Sequence, residues 1–371
     1  MNIAVIPWND EFLNDRLFST EPWKHNADNR MTPFAVMQGE FLRRGDRLHT
    51  IDLMDPARTD WFLFFEHNER GMEWLLQLAE MGLSHRTVYC NAEPPVVNAI
   101  NDPDGFRKLE HYYAYLLTWN DDWADGTRIF RRHIPYYFSW NPGDIPFEQR
   151  ELLTSISGNK HSDHPLELYS ERERVITYME RNHPEGFAFY GTGWDKSVHP
   201  AYGGRVDNKN EVFHHYRFAL AFENTGHVKG YITEKILDCF AAGIVPVYLG
   251  AEDVADYIPE DCFISYDRFQ GPEEMVRFLE NMSEERYNEY LHAAEEFWNS
   301  DRIRPFTGET YAQDIYNLVE WAKAAEESAA GKPGDLFHVT DGDRTAMRRH
   351  LRIYRWKKRA VNRVRNLLKS L

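Results

Sequence analysis

The sequence of 371 residues contains no run approaching the roughly 18 to 20 apolar residues that a membrane-crossing helix needs. Residues 1–7 read as a first strand and not as a secretion signal, so the chain is expected to start and stay in the cytosol. Cysteine is scarce. Cys90, Cys239 and Cys262 fall inside expected strands or helices without metal-ligand spacing, which excludes a disulfide framework and predicts buried free thiols. Internal repeats and low-complexity tracts are absent too. Negative charge is missing from one place only: residues 344–371 hold eleven Lys or Arg and no Asp or Glu, against 32 basic and 59 acidic residues before them. That acidic body would repel a polyanion beyond the tail's reach, so nucleic acid is not an expected partner.

What is present describes a large folded α/β protein. Hydrophobic residues make up 42% and aromatics 15%, too much for a disordered chain, and the length exceeds what one core usually holds. Strand and helix signals alternate from the start: a strand at residues 3–7, a helix at 33–44, strands at 48–53 and 61–65, a helix at 69–81, then strands at 86–91, 113–118 and 128–134. This predicts a Rossmann-like domain over residues 1–157, with the Ser/His/Asp-rich residues 158–165 as linker. A second Rossmann-like domain is expected over residues 166–325, opening with a helix near 172–181. Residues 326–371 form a connector and a tail. In the tail, Tyr354, Val361, Val364, Leu368 and Leu371 recur at helical spacing beside Ile353, Trp356 and Leu367. A basic amphipathic helix follows, suited either to an anionic membrane surface or to docking on the acidic body.

The densest information lies between Tyr216 and Gly250. An apolar run at residues 218–222 gives way to Glu223, Asn224 and a loop with Gly226 and Gly230; residues 233–242 then carry helical spacing until Gly243, and residues 244–249 begin the next strand. Thr233, Glu234 and Lys235 sit on the first turn of that helix. A helix N-terminus beside a strand end offers free N–H groups and partial positive charge to a phosphate. This segment resembles the α1,3/4-fucosyltransferases that use GDP-fucose, glycosyltransferase family 10 in its bacterial type. The likeness is carried by Tyr216-Arg217-Phe218, Phe222-Glu223-Asn224, Tyr231-Ile232-Thr233-Glu234-Lys235 and Pro246-Val247. It continues through Asp256-Tyr257-Ile258-Pro259 and Cys262-Phe263-Ile264.

The resemblance implies a GT-B arrangement, two facing Rossmann-like domains with the acceptor on the first and the GDP-sugar on the second. It also implies displacement of GDP from fucose by a glycan hydroxyl, with inversion. Glu93, after the strand at 86–91 and stiffened by Pro94 and Pro95, matches the family's base. Lys235 and Arg172 match its phosphate-binding cations, with Arg174 the alternative to Arg172. Asn224 and Tyr231 match contacts to the nucleotide sugar, Thr233 lends backbone N–H groups, and Glu234 accepts sugar hydroxyls and supports a cationic transition state. Glu223 has a supporting structural role.

Two fixed cations can replace a divalent metal, so no obligatory metal or other cofactor is expected. The metal-like pairs Asp102-Pro103-Asp104 and Asp341-Gly342-Asp343 read as turns, and His214 and His215 lack ligand partners. Trp8, Trp23, Trp119, Trp123 and Trp140 have two readings, stacking on an oligosaccharide acceptor or packing the core. Two alternatives stay open: a transferase of another GDP-activated sugar, and a non-catalytic, membrane-associated GDP-sugar-binding protein.

Overall fold

The computed structural model describes residues 1–23, 25–26, 29–137, 139–329 and 337–369, with only the backbone course of residues 329 and 361–369. The first sheet contains β1 (Asn2–Ile6), β2 (Arg47–Thr50), β3 (Trp61–Phe65), β4 (Thr87–Cys90), β5 (Tyr115–Thr118) and β6 (Ile129–Arg131), with helices α1 (Thr32–Arg43), α2 (Glu69–Glu80) and α3 (Pro103–Leu109) between them. Its order is β2-β1-β3-β4-β5-β6 and every pairing is parallel. A strand covered on both faces needs an uninterrupted apolar run. The Trp-Phe-Leu-Phe-Phe of β3 is such a run, and all five residues are buried.

The second sheet contains β7 (Glu151–Ile156), β8 (Phe187–Tyr190), β9 (Tyr216–Phe222), β10 (Val245–Leu249) and β11 (Ile264–Ser265). With it run α4 (Tyr169–Asn182), α5 (Lys209–Phe213), α6 (Glu234–Ala242), α7 (Val254–Tyr257), α8 (Pro272–Glu280) and α9 (Glu284–Trp298). The order is β11-β10-β9-β7-β8, again parallel throughout. The chain ends in α10 (Gly308–Ala329) and α11 (Asp341–Lys369).

Two expectations about domain limits are corrected and one about the tail is narrowed. First, β7 was assigned to a domain ending at residue 157, yet Leu153 pairs with Phe187 on one side and Phe218 on the other, making β7 a central strand of the second sheet. Residues 158–165 are therefore a βα loop inside the second domain and not the linker; the crossing between domains runs after β6. Second, α10 was assigned to the second domain but returns to the first. Tyr311, Ala312, Ile315, Leu318, Val319 and Ala322 close the same core as Ile3, Val5, Leu63 and Val88.

Third, of the two readings of the tail, docking describes its first half. Met347 and Leu351 are buried in the core that α2 shares with β3 and β4, and Arg348 and Arg355 pair with Glu80 and Glu73 of α2, each at 2.6 Å. Ile353 and Trp356 point outward, 46% and 69% exposed. Of the remaining stripe, Val361, Val364, Leu367 and Leu368 lie where side chains are not described, and Leu371 lies outside the described residues. The connector falls partly outside them as well. The three cysteines are free and buried, as expected.

The domains meet where loops after β5 and β6 face the turn before α6. Gly230 has φ +77° and approaches Trp119 so closely that a Cβ there would lie 2.0 Å from the Trp119 carbonyl oxygen. Lys229 pairs with Asp122 at 2.7 Å, and the Tyr257 hydroxyl donates to Asp121 at 2.5 Å.

Leu351→Ala removes an anchor of α11, and a buried leucine truncation costs about 2 to 3 kcal/mol. Limited proteolysis should then cut α11 before any other helix, with the cleavage pattern of the two sheets unchanged. Wild-type protection of α11 in this variant would show that the docking contact does not hold the helix.

Candidate functional site

The strand-to-helix unit from β9 to α6 is organised by one buried carboxylate. Glu223 follows Phe222 at the carboxyl end of β9 and is fully buried, an environment a carboxylate tolerates only with partners. It accepts from the Thr233 N–H at 2.8 Å, the Thr233 hydroxyl at 2.7 Å and the Lys235 ammonium at 3.2 Å. Burial pushes the Glu223 carboxyl up, and Lys235 opposes that push. For Lys235, burial acts to lower the pKa, but Glu223 and Glu234 outweigh it and the net shift is upward, so the lysine is firmly charged. Thr233 also caps α6. The expected supporting role of Glu223 is thus visible as geometry.

Arg172, in the first turn of α4, is 4% exposed and donates through Nη2 to the carbonyls of Phe222 at 2.6 Å and Glu223 at 3.0 Å. Its charge is thereby carried to the gap between β9 and β7, the point where strand order reverses and where such sheets take ligands. Arg174 lies on the outer face, bidentate to Glu171 at 3.0 Å. Asn224 continues from Glu223, its carbonyl accepting from the Leu168 N–H at 3.2 Å. Tyr231 is buried, its ring 4.9 Å from that of Trp119, and burial raises its hydroxyl pKa well above the usual value.

Glu93 stands on the other domain, half-buried after β4. Burial pushes its carboxyl pKa up, Glu66 and Glu234 add to that, and Lys160 and Lys235 oppose it. Glu234 goes the other way. Desolvation works to raise it, but Lys235, Lys209, its own backbone N–H and the Thr233 hydroxyl hold it down at about 2. Both glutamates line one cavity of about 450 Å³ between the domains, together with Trp8, Phe65, Arg132, Tyr136 and Tyr311. Two carboxyls facing one cavity with proton affinities driven apart suit one to take a proton and the other to stay ionised.

Of the five tryptophans, Trp8 lines this cavity. Trp119 is fully buried, Trp23 packs on Phe12, Trp123 on Phe106 and Trp140 on Trp298. Sequence reasoning missed Glu66, which sits under the Glu93 turn, and Tyr169, whose ring lies 5.6 Å from the Arg172 guanidinium. It also missed the Lys209–Asp238 pair on the cavity wall. Glu66 had a readable signal, because it follows an all-apolar strand just as Glu223 does; Lys209 had none.

Asp102 caps α3 by accepting from Gly105 N–H at 2.5 Å. Asp341 pairs with Arg344 and Asp343 accepts from the Thr340 hydroxyl at 2.5 Å. Both Asp-x-Asp pairs therefore serve helix starts. His214 Nε2 donates to the Asn141 carbonyl at 2.8 Å. Among the described residues there is no group of three or more His, Cys, Asp or Glu placed to hold a metal ion.

Residues 164–318 match the family model of glycosyltransferase family 10 (fucosyltransferase), C-terminal part. Over 202 residues the chain is 31% identical to 4-galactosyl-N-acetylglucosaminide 3-alpha-L-fucosyltransferase 9 of Mus musculus, an alignment covering 52% of this chain and 48% of that protein. The chain thus spans about half the length of that relative. Among solved structures, an alpha1,3-fucosyltransferase superposes with TM-score 0.52 at 16% identity, covering 86% of this chain and 90% of the other. The DNA-modifying enzyme beta-glucosyltransferase gives TM-score 0.52 at 11% identity, covering 86% and 100%. At these identities the likeness is one of fold, and the fold is the GT-B arrangement of two facing Rossmann-like domains.

Lys235→Met leaves a buried carboxylate without its cation, which costs about 3 to 5 kcal/mol, so the thermal midpoint should fall by several degrees. Adding Glu223→Gln should restore at least half of that loss. A double variant as unstable as the sum of the two single changes would show that the pair is not coupled.

Proposed function

We propose, from a chain whose residues 164–318 match the family model of glycosyltransferase family 10, that the protein moves L-fucose from GDP-fucose to a hydroxyl of an oligosaccharide acceptor with inversion at the anomeric carbon. The observation that carries this reading is the meeting of Glu93 and Glu234, from different domains, at one cavity beside the fixed charge of Lys235. In a single displacement the bond from the anomeric carbon to the acceptor oxygen forms while the bond to the phosphate oxygen breaks. The hydroxyl proton goes to Glu93, and GDP leaves carrying the negative charge. Lys235, Arg172 and the positive end of the α6 dipole would meet that charge where it develops. Glu234, held ionised, would face the sugar as it becomes cationic, and Asn224 and Tyr231 take the nucleotide-sugar contacts that the family resemblance assigns them.

Lys235 and Arg172, read as the two cations of the pyrophosphate, would allow turnover without a divalent metal. The same network addresses phosphate more than the fucose methyl group, which keeps transfer of another GDP-activated sugar as the second reading. The relative's name specifies a 4-galactosyl-N-acetylglucosaminide acceptor, so N-acetyllactosamine is the acceptor to try first, with an α1,3 or α1,4 product. The outward Ile353 and Trp356 on a basic helix support a peripheral position on an anionic membrane in the cytosol, where a bacterial surface glycan or lipopolysaccharide would be built.

Calorimetry in the presence of chelator should show GDP-fucose binding that weakens at least tenfold in Lys235→Ala, with GDP-mannose and UDP-galactose weaker. Absence of guanine-nucleotide binding by a folded protein overturns the reading, and preference for GDP-mannose selects the second. Glu93→Gln should lower kcat about 10²- to 10⁴-fold with GDP-fucose affinity kept.

The pH profile follows from the raised pKa of Glu93. The base must be ionised to act, so activity is present above its pKa and lost as pH falls through it. The acid limb of kcat/KM should therefore lie above the ordinary glutamate value of about 4.3.

A further inference from the structure

Glu66 follows β3 with φ +66°, a left-handed conformation that is unfavourable for a non-glycine residue. Its side chain explains why the chain holds it. One carboxylate oxygen accepts from the N–H of Ala92 at 2.6 Å and of Glu93 at 2.8 Å. The other accepts from Asn98 Nδ2 at 2.7 Å and Asn101 Nδ2 at 3.1 Å. Asn101 in turn donates to the Glu93 carbonyl at 2.8 Å and accepts from the Tyr89 hydroxyl at 2.7 Å. Four N–H donors converge on one carboxylate, and Glu93 is held through both its backbone N–H and its carbonyl.

We propose that Glu66 is a positioning residue for the transfer reaction: it pins the Ala92–Glu93 turn so that the Glu93 carboxyl faces the cavity, and it sets a fixed negative charge beneath that carboxyl. This rests on the fucosyl-transfer reading and deepens it by naming what orients the base. The groups facing Glu93 are Glu66 from its own domain and Lys160, Glu234 and Lys235 from the other, with Tyr169 and Tyr231 also within electrostatic range. Glu66 and Glu234 push the Glu93 carboxyl up and the two lysines push it down. Removing the Glu66 charge therefore lowers the pH at which Glu93 ionises, while its lost N–H contacts let the turn move.

The test compares wild type, Glu66→Gln and Glu66→Asp, with GDP-fucose as donor and N-acetyllactosamine or water as acceptor. In Glu66→Gln, an amide N–H must face donors on one side, so kcat should fall about tenfold or more, with GDP affinity kept. The acid limb of kcat/KM should move to lower pH by about half a unit or more, and amide exchange of residues 92–93 should accelerate. Glu66→Asp keeps the charge but shortens the reach, so kcat falls with the acid limb in place. Wild-type kcat in Glu66→Gln overturns the proposal, as does a lower kcat whose acid limb has not moved.

If Glu66→Gln does not fold, Asn98→Ala decides, because it removes one donor to the carboxylate: faster exchange at residues 92–93 with lower kcat supports the role, and wild-type kcat overturns it. A wild-type protein that neither transfers nor hydrolyses GDP-fucose sinks the fucosyl-transfer reading itself. An active wild type with an indifferent Glu66→Gln sinks only this inference.

Discussion

A carboxylate without solvent must be matched by donors or the strand that carries it cannot form, and the second domain depends on that match at Glu223. Its two bonds from Thr233 and its ion pair with Lys235 fix the turn into α6, and with it the direction of the helix N-terminus. Arg172 reads the same strand end through the Phe222 and Glu223 carbonyls. One buried charge therefore sets the positions of Lys235 and Glu234, and the strand end that carries it holds Arg172. The ion pair need add little net stability to be retained, because swapping a buried pair for apolar residues is often neutral. What apolar residues could not do is hold an ammonium beside the proposed phosphate site.

The first domain repeats the device. Glu66 follows Phe65 at the end of β3 as Glu223 follows Phe222 at the end of β9, and each accepts backbone N–H groups from a loop that carries a candidate catalytic residue. The partners differ in kind. Glu223 has a cation and Glu66 has only neutral donors, so the donor-side network ends in fixed positive charge and the acceptor-side network keeps a negative one beneath Glu93. That asymmetry fits a site in which one wall meets a leaving pyrophosphate and the other accepts a proton.

The alternation of elements and the β9–α6 unit were legible because apolar runs with periods near 2 and 3.6 are local properties, and because Gly243 marks the end of α6 where it takes φ +65°. Glu93, Arg172 and Lys235 were singled out by the family resemblance, with Glu93 also marked by its place after a strand end. The domain limits were not legible. Residues 158–165 have linker composition, but only pairing with β8 and β9 reveals that β7 precedes them in the second sheet. The return of α10 is equally invisible, since its apolar face would serve either core. Glu66 was passed over because a lone glutamate after a strand carries no local mark of the four donors that converge on it from residues 92–101.

The two domains also share control of Glu93, the proposed base. Glu66 acts on Glu93 from within the same domain, whereas Lys160, Glu234 and Lys235 act across the cleft. Moving the sheets apart would take away both opposing lysines and Glu234 together, and would return water to a half-buried carboxyl. Desolvation is the largest influence on Glu93, so its readiness to hold a proton is tied to how closely the domains approach. Contacts such as Gly230 against the Trp119 carbonyl and Tyr257 on Asp121 set that approach. Packing at the interface and proton affinity at the base are therefore linked, and a substitution that opens the interface should move both.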